Sequence, residues 1–296
     1  MLLEVLNMIV QSSQPKSLKD VSDMILSISE EEEMTEAIHD IYEEYQAFMQ
    51  TTDMPEYQIH FKSKNKSRFS RSLDMACVEY EQGIYHLYVS DDAYNSNVKK
   101  EILYHEFTHI YDREYLYNKY RFGRDGRMAD INTHPFTEIH AEQVRFLYML
   151  GCKDVNDTPK GVDHNTIVFN INGKQFTFYN YLEEIRKGTI DKVFVQGVEK
   201  VKRQGKKTSK AIIENVVNQL LYYIGALSIY TKYCNYKNGE LMDLSNVADC
   251  WHVEIDKVID LYCNNDINTL QKIDIVKKST IMMCDFVRGA EKIGIL

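Results

Sequence analysis

Apolar positions change their period twice along this chain, and each change predicts a change of element. From Ile38 through Ile41, Tyr42, Tyr45, Phe48 and Met49 they recur every three to four residues, which predicts an amphipathic helix. Ser29 with Glu32 three residues later has the form of a capping box. The acidic run Glu30 to Glu33 suits the positive end of a helix dipole, so the helix is expected to start there. The period then drops to two. Tyr57, Ile59 and Phe61 alternate with Gln58, His60 and Lys62 as a half-buried strand, and two more strands follow near Leu73–Tyr80 and Ile84–Ser90, joined by Glu81-Gln82-Gly83. Helical spacing returns from about Ser96 to Tyr120. Gly123 and Gly126 mark a loop, and a further helix is expected to begin after Pro135, a favoured first-turn residue, and to end near Leu150.

Asn172-Gly173, between IVFNI and KQFTF, is a type I′ hairpin signal. From Tyr181 onward the pattern is helical, over 181–187, 190–203 and 208–234, with two or three more helices to the end. Ile212, Ile213, Val216, Val217, Leu220, Leu221 and Ile224 form one apolar face. There is no internal repeat and no low-complexity segment. The outline is α+β: an N-terminal helical region over 1–52, a domain with a small mixed sheet over 53–188, and a mostly helical region over 189–296.

Composition narrows the partners. With 296 residues the chain can bury a sizeable core, and 44 % apolar with 27 % charged residues is the balance of a water-exposed globular protein. The net charge of −9 argues against nucleic acid or an anionic membrane as the main partner. The one basic cluster, Lys200 to Lys210, reads as a solvated turn between helices. Six scattered cysteines without a CxxC pair fit free thiols in a reducing compartment rather than a disulfide framework or a thiolate zinc site. The first residues lack the basic start and small-residue cleavage site of a signal peptide, and Leu220 to Tyr230 is about half the length of a membrane-spanning helix. A cytoplasmic protein is the expectation.

The chemistry concentrates in EILYHEFTHIYD, residues 101 to 112. On a helix, His105 and His109 lie one turn apart on one face, so both imidazoles can reach a single metal ion, and Glu106 lies about 100° round from His105, within reach of a water at the site. Leu103, Phe107 and Ile110 occupy the opposite, core-facing side. Two imidazoles and a water leave one position for a protein ligand. THPFTEIHAEQVR, residues 133 to 145, supplies the candidates: Glu138, Glu142 and Arg145 share a face, and His140 points away from it. Glu138 comes first, with Glu142 placed to bond to it or to a ligand histidine, and Arg145 placed to pin either carboxylate. The alternative for these three is a surface stripe that supports the helix at i, i+3 and i+4 spacing.

HExxH followed on a second helix by ExxxE resembles the gluzincin class of zinc metallopeptidases. More locally, HEFTHIYD with HPFTEIHAE resembles the mitochondrial peptidase family that processes an ATP-synthase subunit, and more loosely the bacterial and phage peptidases that cleave repressors. The likeness covers residues 101 to 145. It implies a zincin-like fold, a Zn2+ cofactor held by His105, His109 and Glu138, and Glu106 as general base in peptide hydrolysis. It also implies supporting roles for Asp112 and His134. Asp112 either accepts the free ring N–H of a ligand histidine or is a helix-surface acid; His134 either donates to a tetrahedral intermediate or caps a helix. The family is cysteine-rich around this region and this chain is not, so compartment and substrate do not carry over. The metzincin pattern fails, since it needs Gly where Asp112 stands and His where Tyr115 stands. By the same likeness a peptide substrate would add as a strand along a sheet edge, with Ile84–Ser90 the expected edge. Two other classes share these residues: a binding protein on a silent zincin scaffold, and a metal-dependent hydrolase of something other than peptides. Of the many tyrosines, the sequence singles out none to stabilise an oxyanion. Few prolines and abundant Lys, Ile, Asn and Tyr suit an AT-rich bacterium or its phage.

Overall fold

The computed structural model describes residues 18–62, 75–124, 126–171, 173–205, 210–234, 239–265 and 273–294. Leu73 and Asp74, at the start of the second expected strand, lie outside them, as do Asn172 of the hairpin and Lys206 to Ser209 of the basic cluster. Helix α1 (Leu18–Phe48) leads into strand β1 (Tyr57–Lys62), and β2 (Ala76–Glu81) and β3 (Ile84–Ser90) form a hairpin. Helices α2 (Lys99–Tyr120) and α3 (Gly126–Met149) carry the HExxH and TEIHAE stretches, and β4 (Ile167–Ile171) with β5 (Lys174–Thr177) forms a second hairpin. The rest is helical.

The aromatic stripe of α1 is buried as its spacing requires, and it meets the inner side of α2. Phe107 lies 4.8 Å from the Tyr42 ring, 5.6 Å from Tyr45 and 5.7 Å from Tyr57 on β1. Tyr45 donates to the Thr108 hydroxyl at 3.1 Å, which in turn donates to the Tyr104 carbonyl. Helix α2 is therefore clamped between α1 and the sheet on its apolar side, leaving its histidine side to face α3. Leu103, Phe107 and Ile110 are all fully buried.

Three expectations change. Helix α1 is already helical from Leu18, so Ser29 and Glu30–Glu33 are an exposed interior stretch and not a capping box. A run of strong helix formers reads alike at a first turn and in a solvated middle. Helix α3 likewise begins at Gly126, and Pro135 lies inside it rather than at its first turn. Proline costs one intrahelical hydrogen bond there, because it has no N–H. His134 consequently is not a helix cap. The sheet order is β1-β3-β2, with β1 parallel and β2 antiparallel to β3, so Ile84–Ser90 is the central strand and not an edge. Its alternation of buried and half-buried residues is that of an edge strand too, which is why the pattern could not place it. The Gln82-Gly83 turn has both residues at positive φ, 53° and 91°, as a two-residue I′ hairpin demands.

The boundary expected at 188/189 falls inside a helix. Helix α4 runs without interruption from Phe178 to Gln204, with wider π-type turns over Arg186–Gly197. Those turns leave the Phe194 carbonyl to accept from the Trp251 indole at 2.9 Å. Helices α5 (Lys210–Tyr233) and α8 (Ile273–Lys292) pack directly on α3; α5 also meets α4, α6 (Ser245–Trp251) packs on α4 and α8, and α7 (Ile255–Asn264) packs on α5 and α8. Val217, Leu220, Leu221 and Ile224 of the expected apolar face are buried in the same core as Ile38 and Phe107; the side chains of Ile212, Ile213 and Val216 lie outside the description. Gly225 is what allows α5 to approach so closely. A Cβ there would stand 2.7 Å from both the Ile139 carbonyl oxygen and the Glu142 Cβ. No disulfide links the six cysteines. Among the described residues no helix is long and apolar enough to cross a membrane.

Candidate metal centre

Where α2 faces α3, three side-chain atoms converge. His105 Nε2 lies 3.2 Å from Glu138 Oε2, and His109 Nε2 lies 3.6 Å from the same oxygen. All three donor atoms fall within 4.8 Å of one another, and among the described residues no other His/Cys/Asp/Glu group does so. Ligands ~2.0–2.2 Å from a tetrahedral ion stand roughly 3.3–3.6 Å apart, so the two measured edges fit a single ion of zinc's size.

The far side of each candidate ligand is held as well. His105 Nδ1 lies 3.5 Å from Glu142 Oε2, and neither atom has another hydrogen-bond partner. Glu142 Oε1 accepts from Arg145 at 2.6 Å, and Tyr181 stands beside both. Glu142 and Arg145 are thus a buried support for His105 and not a surface stripe. His109 Nδ1 lies 3.1 Å from the Thr137 hydroxyl, which lies 3.4 Å from the His134 carbonyl. With a partner on each Nδ1, the tautomer protonated there is supported, and it leaves Nε2 free to coordinate. Glu138 divides its oxygens: Oε2 faces the two histidines, and Oε1 lies 3.2 Å from His134 Nδ1. His134 Nε2 in turn lies 2.9 Å from Asn218 Oδ1 on α5.

The charges follow from these contacts. Burial disfavours a charged His105, but hydrogen bonds to Glu138 and Glu142, with the charges of Glu138 and Glu106, outweigh it and raise its pKa to about 9. His109 is equally buried, faces one carboxylate and feels His105, Arg113 and His134, so its pKa falls well below the ordinary histidine value. Burial pushes Glu138 up, but the charges of His109 and His134 and its bond to His105 take it far below the carboxylate range. Burial opposes the Arg145 charge too, and the Glu142 carboxylate more than restores it. The residues at the centre keep a little exposure, 7 % at His105, 8 % at Glu106, 6 % at His109 and 7 % at Glu138, whereas Glu142 behind them has none.

Of the residues picked out by sequence, His105, Glu106, His109, Glu138, Glu142, His134 and Arg145 come together. Asp112 does not support a ligand histidine. Both its carboxylate oxygens lie 2.8 Å from His140 Nδ1, and the pair is buried one turn beyond the centre, bracing α2 against α3. Asp112 follows His109 by three residues, close in angle but displaced along the axis, so it meets the α3 residue at that level. The sequence missed Thr137, Asn218 and Tyr222. The Tyr222 ring stands edge-on to His105 at 5.5 Å. The nearby Glu138 charge, burial and the Glu106 and Glu142 charges push its hydroxyl pKa well up. Gly225, mid-helix in LLYYIGALSIY, was the available signal, since an interior helix glycine implies close packing. Compared with protein-family models, with curated proteins and with solved structures, the chain matches none.

Proposed function

We propose that the protein is a zinc-dependent peptidase. The observation that carries this reading is the convergence of His105 Nε2, His109 Nε2 and Glu138 Oε2, with Glu106 beside them on the same helix. A zinc ion, when bound, supplies Lewis-acid polarisation of a carbonyl oxygen and makes a nearby water acidic. The chain's residues do the rest. Glu106 is the base: its carboxylate takes a proton from the attacking water and returns it to the leaving nitrogen. Its place next to His105 on the helix, with its charge felt at both His105 and Tyr222, supports this role. Tyr222 keeps its proton far above neutral pH, so its hydroxyl serves as a donor to the oxygen that becomes negative during attack.

Within the three-stranded sheet the described edges are β1 and β2, since β3 is paired on both sides. Strand β2 packs against α2, and Arg113 of that helix donates to the Val78 carbonyl at 3.3 Å, so β2 is the edge beside the centre.

The test is elemental analysis and peptide cleavage on wild type, Glu138→Ala and Glu106→Gln. About one zinc per chain is expected in wild type and Glu106→Gln, and none in Glu138→Ala. Turnover in Glu106→Gln should fall by roughly 10²–10⁴. Wild type without zinc after reconstitution, or a Glu106→Gln protein that cleaves at the wild-type rate, refutes the proposal.

A further inference from the structure

We infer that Asn218, on helix α5, is a positioning residue for the metal centre, acting through His134 on Glu138. This rests on the zinc reading above. A carboxylate can meet a metal ion with one oxygen or two, and what decides is the partner of the second oxygen. Here the second oxygen of Glu138, Oε1, faces His134 Nδ1 at 3.2 Å, which keeps it turned from the two ligand histidines. His134 lies one helical turn before Glu138, and its ring needs something beyond to stop it swinging outward, because its side chain is a quarter exposed. Asn218 supplies that stop at 2.9 Å from Nε2.

The relay Asn218–His134–Glu138 makes α5 part of the centre. The helix is held in place by contacts that are not ligands: the close approach at Gly225, and Gln143 donating to the Ser228 hydroxyl at 2.7 Å. Asn218, Tyr222 and Gly225 stand at i, i+4 and i+7, one face of one helix, so the register that seats Gly225 against Glu142 also sets Asn218 on His134 and Tyr222 on His105.

The test is zinc affinity, measured by competition with a chromophoric chelator, for wild type, Asn218→Ala and Asn218→Asp, with thermal melts of each metal-free protein. Residues that contact a metal ligand directly are typically worth about 10–100-fold in affinity; Asn218 acts one contact further out, through His134, so Asn218→Ala should bind zinc more weakly by up to about tenfold. Asn218→Asp retains an oxygen in the same place and should recover most of that loss. A residue that only stabilises the fold would lower the melting temperature of Asn218→Ala and leave its zinc affinity at the wild-type value. That outcome overturns the inference while leaving the centre intact, as does an Asp variant no better than Ala. A wild type that binds no zinc overturns the metal reading, and this inference with it.

Discussion

Replacing Thr137 by Val removes one hydroxyl from behind His109 and keeps the branched shape that α3 packs around. The role of that hydroxyl belongs to the ion-bound state. The pKa of His109 is depressed by burial, so its ring carries one N–H at neutral pH. When Nε2 coordinates an ion, that proton must sit on Nδ1, and the acceptor within reach there is the Thr137 hydroxyl at 3.1 Å. Without an ion the proton can move to Nε2, which faces Glu138 Oε2 at 3.6 Å, and Nδ1 is then only an acceptor. The cost of the missing hydroxyl therefore falls mostly on the loaded state. Thr137 is 1 % exposed, so water does not replace it. A buried donor left unpaired costs about 1–3 kcal/mol. At ~1.4 kcal/mol per tenfold, zinc affinity should fall by roughly 5–150-fold. A competition titration measures the affinity, and thermal melts of the metal-free proteins measure the stability, which should change little. Thr137→Ser restores the oxygen and should bind as wild type does. Wild-type affinity in Thr137→Val would refute the assignment of this hydroxyl to the His109 tautomer.

Gly225→Ala inserts a Cβ 2.7 Å from the Ile139 carbonyl oxygen, so α5 must retreat from α3. Overpacking costs about 1–3 kcal/mol and the better helix former returns ~1 kcal/mol, so melts should shift modestly. Zinc affinity should fall more than stability does; a variant that loses stability but binds zinc normally would show that α5 does not set the centre. Asp112→Asn weakens the buried bond to His140, a charged bond worth about 1.5–3 kcal/mol. It should lower the melting temperature and leave zinc affinity unchanged, because neither residue is a ligand. Loss of zinc with the melting temperature intact would give Asp112 the ligand-supporting role that its place in the sequence suggests.

What the sequence made legible was local. The three-to-four spacing of Ile38 to Met49, the alternation through Tyr57 to Phe61 and the Gln82-Gly83 turn each follow from contacts within one element, and each appears in the structure where it was expected. The i, i+4 histidines of α2 are local in the same sense. The helix starts were misplaced because a glutamate run and a proline are compatible with more than one position along a helix. What was illegible was anything decided by a neighbour. Ile84–Ser90 became central because β1 pairs with it from the far side, 28 residues away by register at Tyr57↔Tyr85. Asp112 was drawn to His140 because α3 presents that residue at its level. Thr137, a residue type that fills many roles, acquired one from His109.

The same distinction bears on how the chain is divided. A change from mixed sheet to unbroken helix suggests two regions, with the chemistry confined to the first. Helix α4 crosses the suggested boundary without a break, and α5 beyond it carries Asn218, Tyr222 and Gly225 to the centre. Pattern period reports how a segment buries its own apolar face; it carries no information about which segments share a polar cluster. A buried group of two imidazoles and three carboxylates can persist only where surrounding elements exclude water and satisfy its outer atoms. Here α2 and α3 supply the histidines and glutamates, while α4 contributes Tyr181 to the Glu142–Arg145 pair and α5 closes over His105 and His134. A truncation at the apparent boundary would therefore leave His105, His109 and Glu138 present and their positions undetermined.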